Sequence, residues 1–241
     1  MVLDRWPAAF HGLRAIHVTD FHFRRWNRIL ARLRKILLET TYDLLLMTGD
    51  YCVQPKNWLQ DTPMVHRLLA GVRPALGAFA ILGNHDGPGI IPALEDVGVR
   101  VLRNESVTLR RGTDAITIAG IEQTHARTGD LAAALAPSAD DGATILLAHF
   151  PSAVHNLPPG AVDLMLAGHT HAGQWRLPLW GCLWPNDHLA AEHAWGLHRV
   201  NGTHLHVSAG IGLSGPFFWR FNCPPEMTEF TLLAGPPADR P

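Results

Sequence analysis

Five short segments of this 241-residue chain place metal-binding side chains directly behind apolar runs. They are Asp20 and His22 in T-D-F-H, Asp50 in T-G-D, Asn84, His85 and Asp86 in G-N-H-D, His149 in A-H-F, and His169 and His171 in G-H-T-H. In D-x-H and H-x-H a spacing of two sends both side chains of an extended chain to the same side. Loops at the carboxyl ends of strands converge over one edge of an α/β sheet, so the five segments can meet. Their donors are oxygen and imidazole without thiolate, a set for Mn²⁺, Fe or Zn²⁺ rather than for a cysteine-type structural zinc. Even without His85 and Asp86, the seven remaining donors exceed the needs of one tetrahedral ion. Two divalent metal ions sharing a carboxylate account for the number, and such a pair activates water and clamps the oxygens of a displacement at phosphorus. Gly49, Gly83 and Gly168 precede donors and let the backbone turn sharply or approach a neighbour.

The elements that must carry these residues are legible as short apolar runs closed by turn residues. Strands are expected at 15–18, 43–47, 78–82, 99–102, 107–109, 115–119, 144–148, 162–166, 204–207 and 229–232. The clearest helical stripe runs from Arg24 to Leu38 through Trp26, Ile29, Leu30, Leu33, Ile36 and Leu37, and further helices are expected near 63–72, 90–97 and 130–135. Strand and helix alternate in the first half and strands follow one another in the middle, which predicts an α/β sandwich with mixed sheets.

Composition bounds the function. With 47% apolar and 17% charged residues the chain folds, and a net charge of −1 gives no global field to gather nucleic acid. Three cysteines without a C-x-x-C pair predict neither a disulfide framework nor a thiolate zinc site, and fit a reducing compartment. The sequence shows no membrane-length apolar run and no signal-peptide pattern at its start, so the expectation is a cytoplasmic chain, with membrane contact only at the surface. The fifteen histidines are nearly as many as the carboxylates, and imidazole is the commonest protein metal ligand.

The ordered series D-x-H, G-D, G-N-H-D, H and G-H-x-H resembles the calcineurin-like metallophosphoesterases. The segments G-H-T-H-A-G-Q-W-R and R-F-N-C-P-P-E resemble the bacterial branch with membrane-associated phosphodiesterases and UDP-2,3-diacylglucosamine pyrophosphatases. That resemblance implies a four-layer α/β/β/α sandwich of two mixed sheets flanked by helices; one domain over residues 1–235 is expected, and the prolines and lack of apolar pattern at 236–241 suggest a loose tail. It implies Asp20, His22 and His171 on one ion, Asn84, His149 and His169 on the other, and Asp50 between them. It implies that His85 acts on the phosphoryl or leaving oxygen and that Asp86 orients it by hydrogen bonding. Ala172 stands where the branch has glycine, and Glu122 and Gln123 where related sequences often have aspartate.

Outside the motifs, three residues are expected to reach substrate: Arg176, whose fork binds phosphate bidentately, His125 in a loop after a strand, and Trp26 beside His22. Arg24, Arg25, Arg28, Arg32, Arg34 and Lys35 make the first helix basic, a solvated face or one suited to an anionic surface. Leu177, Leu179, Trp180, Leu183, Trp184, Phe217, Phe218 and Trp219 are more apolar surface than an irregular loop buries, which suggests a lipid-facing rim. The expected function is a dinuclear metal-dependent phosphohydrolase acting on a phosphodiester or pyrophosphate, with an amphiphilic substrate such as UDP-2,3-diacylglucosamine. Its rivals are a phosphodiesterase for small soluble diesters or cyclic nucleotides and a non-catalytic metal-binding interaction scaffold.

Overall fold

In the computed structural model, residues 1–123, 129–136, 142–182, 184–215 and 219–235 are described. In chain order the strands are β1 (Val2–Leu3), β2 (Leu13–Val18), β3 (Leu44–Met47), β4 (Gly77–Ala80), β5 (Val99–Val101), β6 (Glu105–Arg111), β7 (Asp114–Gly120), β8 (Ala143–Leu147), β9 (Leu164–Ala167), β10 (Arg176–Leu177), β11 (Gly181–Cys182), β12 (Gly196–Val200), β13 (Thr203–Val207) and β14 (Thr228–Ala234). The helices are α1 (Arg28–Glu39), α2 (Trp58–Leu69), α3 (Ile91–Asp96) and α4 (Leu131–Leu135). Each of the ten expected strands is present. The four that the sequence did not show are two-residue pieces or, in β12, a strand whose residues are all at least partly exposed, so no apolar run marks them.

The strands form two mixed six-stranded sheets, ordered β1-β14-β2-β3-β4-β5 and β12-β13-β9-β8-β7-β6. Within the first, β2, β3, β4 and β5 run parallel, and within the second β7, β8, β9 and β13 do. Side-chain alternation decides the layers. Leu13, Ala15, Leu44, Leu46, Phe79 and Ile81 face Ile116, Ile118, Ile145, Leu147, Leu164 and Leu166 in one buried cluster between the sheets. The alternate residues Ile16, Val18, Leu45, Met47, Ala78 and Ala80 pack outward against Leu30, Leu33 and Leu37 of α1 and Val65 and Leu68 of α2. Leu146, Met165, Leu205 and Val207 pack on the opposite outer side, against Ala134 of α4 and the turn holding Ala153 and Val154. The architecture is thus α/β/β/α.

Two helix boundaries differ from the expectation. The Asn27 side chain accepts the Leu30 N–H at 2.9 Å and caps α1, so the helix starts at Arg28 and Arg24, Arg25 and Trp26 precede it. Helix α2 starts at Trp58 rather than Pro63 and carries that proline inside, because the buried residues Asp61, Val65, Leu68 and Leu69 lie on a face that begins upstream of it. The basic face is also partly structural, since Arg34 donates to the Leu68 and Ala70 carbonyls at the end of α2 (2.9 and 3.0 Å).

At the carboxyl ends of the strands the inter-sheet layer turns polar. His17 and His206, inward-facing on β2 and β13, contact each other through their Nδ1 atoms at 3.2 Å, and His17 Nε2 lies 2.9 Å from Thr48 Oγ1. Glu226 lies 3.6 Å from His206 and accepts from Thr228 Oγ1 (2.7 Å) and the Ala209 N–H (3.1 Å). Burial pushes the Glu226 carboxyl up, but the bonds from His206, Trp195 and Thr228 outweigh it and hold the group down at about 2. A carboxyl held below its unfolded value stabilises the fold above that value and loses the contribution as pH falls toward 2. Urea midpoints should therefore drop between pH 4.5 and 2.5 more steeply in the native protein than in Glu226→Gln, and parallel profiles would contradict this.

The strand ends are pressed together at Gly49, where a Cβ would run into the backbone of Leu82 and Gly83, whereas Gly12 has open space at its Cβ position. Both have positive φ, +95° and +81°. An alanine at Gly12 should cost about 1 kcal/mol of left-handed strain, and one at Gly49 a further ~1–3 kcal/mol of overpacking. Equal urea midpoints for the two variants would refute the close approach.

Candidate metal centre

The five motif segments leave the carboxyl ends of β2, β3, β4, β8 and β9, and the two sheets bring those ends to one place. Backbone bonds lock the loops together: Asp20 N–H donates to the Gly49 carbonyl (2.9 Å), His22 N–H to Asp50 (3.0 Å) and Phe23 N–H to Tyr51 (2.8 Å). Asp20, His22, Asp50, His169 and His171 all have φ between 41° and 68°. Left-handed backbone costs a side-chain-bearing residue roughly 1–2 kcal/mol, so five such residues at one strand edge represent strain held by the surrounding layers. Ala172, buried, also has positive φ (52°), which gives a physical reason for glycine at that place in related chains.

Among the described residues, two groups have donor atoms within 4.8 Å of one another: Asp20, His22 and His171, and Asp50, His149 and His169. His22 Nε2 lies 3.0 Å from His171 Nε2, which lies 3.3 Å from Asp20 Oδ1. Asp50 Oδ2 is 3.5 Å from His22 Nε2 and 3.3 Å from His149 Nε2, so one carboxylate oxygen touches both groups. Asn84 Oδ1 is 3.0 Å from His149 Nε2.

Carbonyls fix the ring tautomers. His22 Nδ1 donates to Cys52 (3.0 Å), His149 Nδ1 to Thr48 (2.7 Å) and His169 Nε2 to Asn186 (2.7 Å). A carbonyl only accepts, so the proton sits on the nitrogen facing it, and the other nitrogen keeps its lone pair. His22 and His149 thereby offer Nε2 to the cluster, and His169 offers Nδ1.

Burial drives the electrostatics. It lowers His22 to about 4 and His169 to about 3, holds His171 well below the ordinary imidazole value with help from His22 and Arg220, and raises Asp20 to about 6. Burial also opposes charge on Asp50 and His149, yet their mutual attraction prevails: His149 rises to about 9 and Asp50 falls well below the ordinary carboxylate range. Neutral His22, His169 and His171, with a His149 that shares its second proton with Asp50 and would release it to a cation, are imidazole donors around buried carboxylates without thiolate, the chemistry of first-row divalent cations, and this set fits two.

His85 is half-buried, with its ring edge-on to His22 at 4.9 Å. Its N–H donates to Asp50 Oδ1 (2.8 Å) and its Nδ1 to the Val53 carbonyl (2.7 Å). The orienting role expected of Asp86 is corrected here. Asp86 accepts the N–H groups of Gly83 (2.9 Å), Asp50 (2.7 Å) and Cys52 (2.9 Å), so its carboxylate shapes the loops, and the Val53 carbonyl holds the His85 ring. Burial and the Asp50 charge push Asp86 up to about 7 against those three donors.

The structure does not bring every expected residue to the cluster. Arg176 stacks over Trp195, 4.8 Å from its centroid, and Trp26 packs on the α1–α2 core under Arg67, at 4.2 Å. Among the described residues, neither is part of the lining of the two cavities that contain His22 and His169. His125, Leu183, Phe217, Phe218 and the tail at 236–241 lie outside the described residues. Two contributors were not read from sequence. Arg220 places a guanidinium nitrogen 3.3 Å from His171 Nδ1, and Gln123 Oε1 accepts the N–H groups of His149 (2.8 Å) and Phe150 (3.0 Å). The R-F-N-C-P-P-E resemblance was the one signal for Arg220. Gln123 stood out only as a departure from the aspartate of related sequences, and its residue type did not show that it would accept from the backbone.

A layered α/β/β/α sandwich with clustered imidazoles and carboxylates where its strands end defines a metal-dependent hydrolase class. The family model for calcineurin-like phosphoesterases matches residues 13–173, and the chain belongs to that family. It is 30% identical to the uncharacterized metallophosphoesterase YkuE of Bacillus subtilis over 94% of this chain and 81% of that one. It is 27% identical to the phosphodiesterase YaeI of Escherichia coli (91% and 82% covered) and 23% identical to the UDP-2,3-diacylglucosamine pyrophosphatase LpxG of Chlamydia muridarum (95% and 86%). In fold it is similar to the sulfate thiohydrolase SoxB of Thermus thermophilus, at TM-score 0.51 and 14% identity over 83% of this chain and 52% of that one.

Metal that binds the folded state alone stabilises it by RT ln(1 + [L]/Kd), about 2.7 kcal/mol at a hundredfold excess over Kd. Mn²⁺ or Zn²⁺ should therefore raise Tm, and calorimetry should count two ions per chain. A Tm unmoved by either ion would overturn the metal assignment.

Proposed function

We propose that this protein is a dinuclear metal-dependent phosphohydrolase that cleaves a phosphodiester or pyrophosphate bond, with Asp20, His22 and His171 holding one ion, Asn84, His149 and His169 the other, and Asp50 both. The observation that carries this reading is the Asp50 carboxylate oxygen lying 3.5 and 3.3 Å from the donor nitrogens of His22 and His149. Bound divalent ions would supply positive charge at phosphorus and lower the pKa of a bound water.

The protein's own residues do the rest. The buried carbonyls of Cys52 and Thr48 and the carbonyl of exposed Asn186 keep the His22, His149 and His169 rings in one tautomer and orientation. His85, held at Nδ1 by Val53, would as imidazolium donate from Nε2 to a phosphoryl oxygen and pass that proton to the leaving oxygen. The Val53 carbonyl accepts from Nδ1 in both states, so the ring need not turn between them.

The substrate we favour is amphiphilic, in the class of UDP-2,3-diacylglucosamine. The 23%-identical LpxG is named for that substrate, and this chain exposes Leu179, Trp180 and Trp184 around the β10–β11 hairpin, residues that partition to lipid–water interfaces. No helix among the described residues is long and apolar enough to cross a membrane, so the contact we propose is at a bilayer surface.

Metal analysis and turnover of the Mn²⁺-reconstituted protein test the mechanism. Asp50→Ala should lose bound metal, whereas His85→Ala should keep it while kcat on an aryl phosphodiester falls about 10²–10⁴-fold. Unchanged rates in both variants would sink the mechanism. A panel of aryl diester, cyclic nucleotide and detergent-dispersed nucleotide-linked lipid decides the substrate: lipid left intact while soluble diesters are cleaved would replace the amphiphilic reading with the soluble one.

A further inference from the structure

Two cavities flank the donor cluster and differ in chemistry. One, of about 530 Å³ beside His169, is lined by Gln123, Ser152, Asn156, Asn186 and Asp187 together with Phe150 and Ala153, and is the more polar of the two. The other, of about 560 Å³, shares His22 with the cluster and is walled by Phe21, Phe23, Ile29, Leu213 and Trp219, with Arg24 and Arg25 also on its wall. Ile29 is the second residue of α1 and faces away from the buried stripe Leu30, Leu33 and Leu37, with 44% of its surface exposed. Trp219, also exposed, packs against Trp175 with the rings tilted by 56° and 4.2 Å between centroids, and Trp175 leads into the β10–β11 hairpin with its exposed Leu179 and Trp180. An apolar wall thus runs from a proposed metal ligand out to the exposed aromatic surface. Core packing accounts for Phe21 and Phe23, which are buried, but not for Ile29 and Trp219, which remain exposed to water.

We propose that this cavity takes the alkyl or acyl chain of a phosphoester substrate, whose phosphorus lies over the donors at His22 and whose chain runs between the start of α1 and the Ile211–Leu213 segment. The proposal rests on the phosphohydrolase reading and adds where the apolar part of the substrate goes. The polar cavity beside His169 has no comparable apolar wall, so the chain has one side to choose, and the cationic wall suits the anionic phosphate from which it extends. Each methylene moved from water onto such a wall favours binding by up to about fourfold.

The test is a series of p-nitrophenyl alkyl phosphates, methyl to octyl, kept below their micellar concentrations and assayed with the Mn²⁺-loaded protein. We expect kcat/KM to climb with chain length until the cavity is filled, and Ile29→Asp to cut the octyl-to-methyl ratio at least tenfold. A carboxylate in the first turn of a helix favours the helix, so this variant should fold. Calorimetric binding of decyl phosphate, which needs no turnover, should weaken in the same variant. If the methyl ester is cleaved but the ratio is flat, or if Ile29→Asp leaves the climb intact, the cavity assignment is overturned and the phosphohydrolase reading stands. If no diester is cleaved with any of the ions, both fall together.

Discussion

The structure depends on keeping two carboxylates, Asp20 and Asp50, dry among imidazoles. Neither is solvated, and each is opposed by burial, so they persist only because His149 is drawn to a charge beside Asp50 and backbone N–H groups of His85 and His169 point at them. An anionic pocket of this kind favours a cation of matching size and geometry. The strained left-handed backbone of five donor residues belongs to the same arrangement, since relaxing any of them would swing a donor away from the shared oxygen.

The fold supplies the rigidity that this demands. Two parallel strand sets from different sheets end at one level, and the inter-sheet layer, apolar through Leu46, Ile118 and Leu166, ends in His17, His206 and Thr48 just beneath the cluster. Thr48 links the two regimes: its hydroxyl meets His17, and its carbonyl fixes His149. Asp86 serves the loops in the same way, gathering three backbone N–H groups from the ends of β3 and β4. Positioning is therefore shared among groups that touch neither metal nor substrate.

What could be read along the chain was whatever local pattern encodes. Most of the ten strands announced themselves because parallel strands buried on both faces, such as Leu44–Met47, are continuous apolar runs. Strands β6 and β14 were legible although partly exposed and antiparallel to β7 and β2, and α1 was legible because its stripe repeats at helical spacing. Its first turn was misplaced because Trp26 continues that stripe in composition, while the Asn27 cap that ends it is one side-chain bond. The Asp86 role was misjudged for a related reason: adjacency to His85 in N-H-D suggests a pair, but consecutive residues in a turn point apart, and the carboxylate found the donors nearest in space.

Residue types and their order alone determined the chemistry on offer: oxygen and imidazole donors without thiolate, in segments that each follow a strand, and with them the family and its layered sandwich. Only the tertiary structure decided which donors meet, that Asp50 reaches both groups, that carbonyls from Thr48, Cys52 and Asn186 set the tautomers, and that Arg24 and Arg25 line a cavity instead of a helix face. The reason is range. Strand and helix patterns are fixed by neighbours a few residues apart, whereas His22 and His171 meet across 149 positions, a contact that exists only once both sheets have packed.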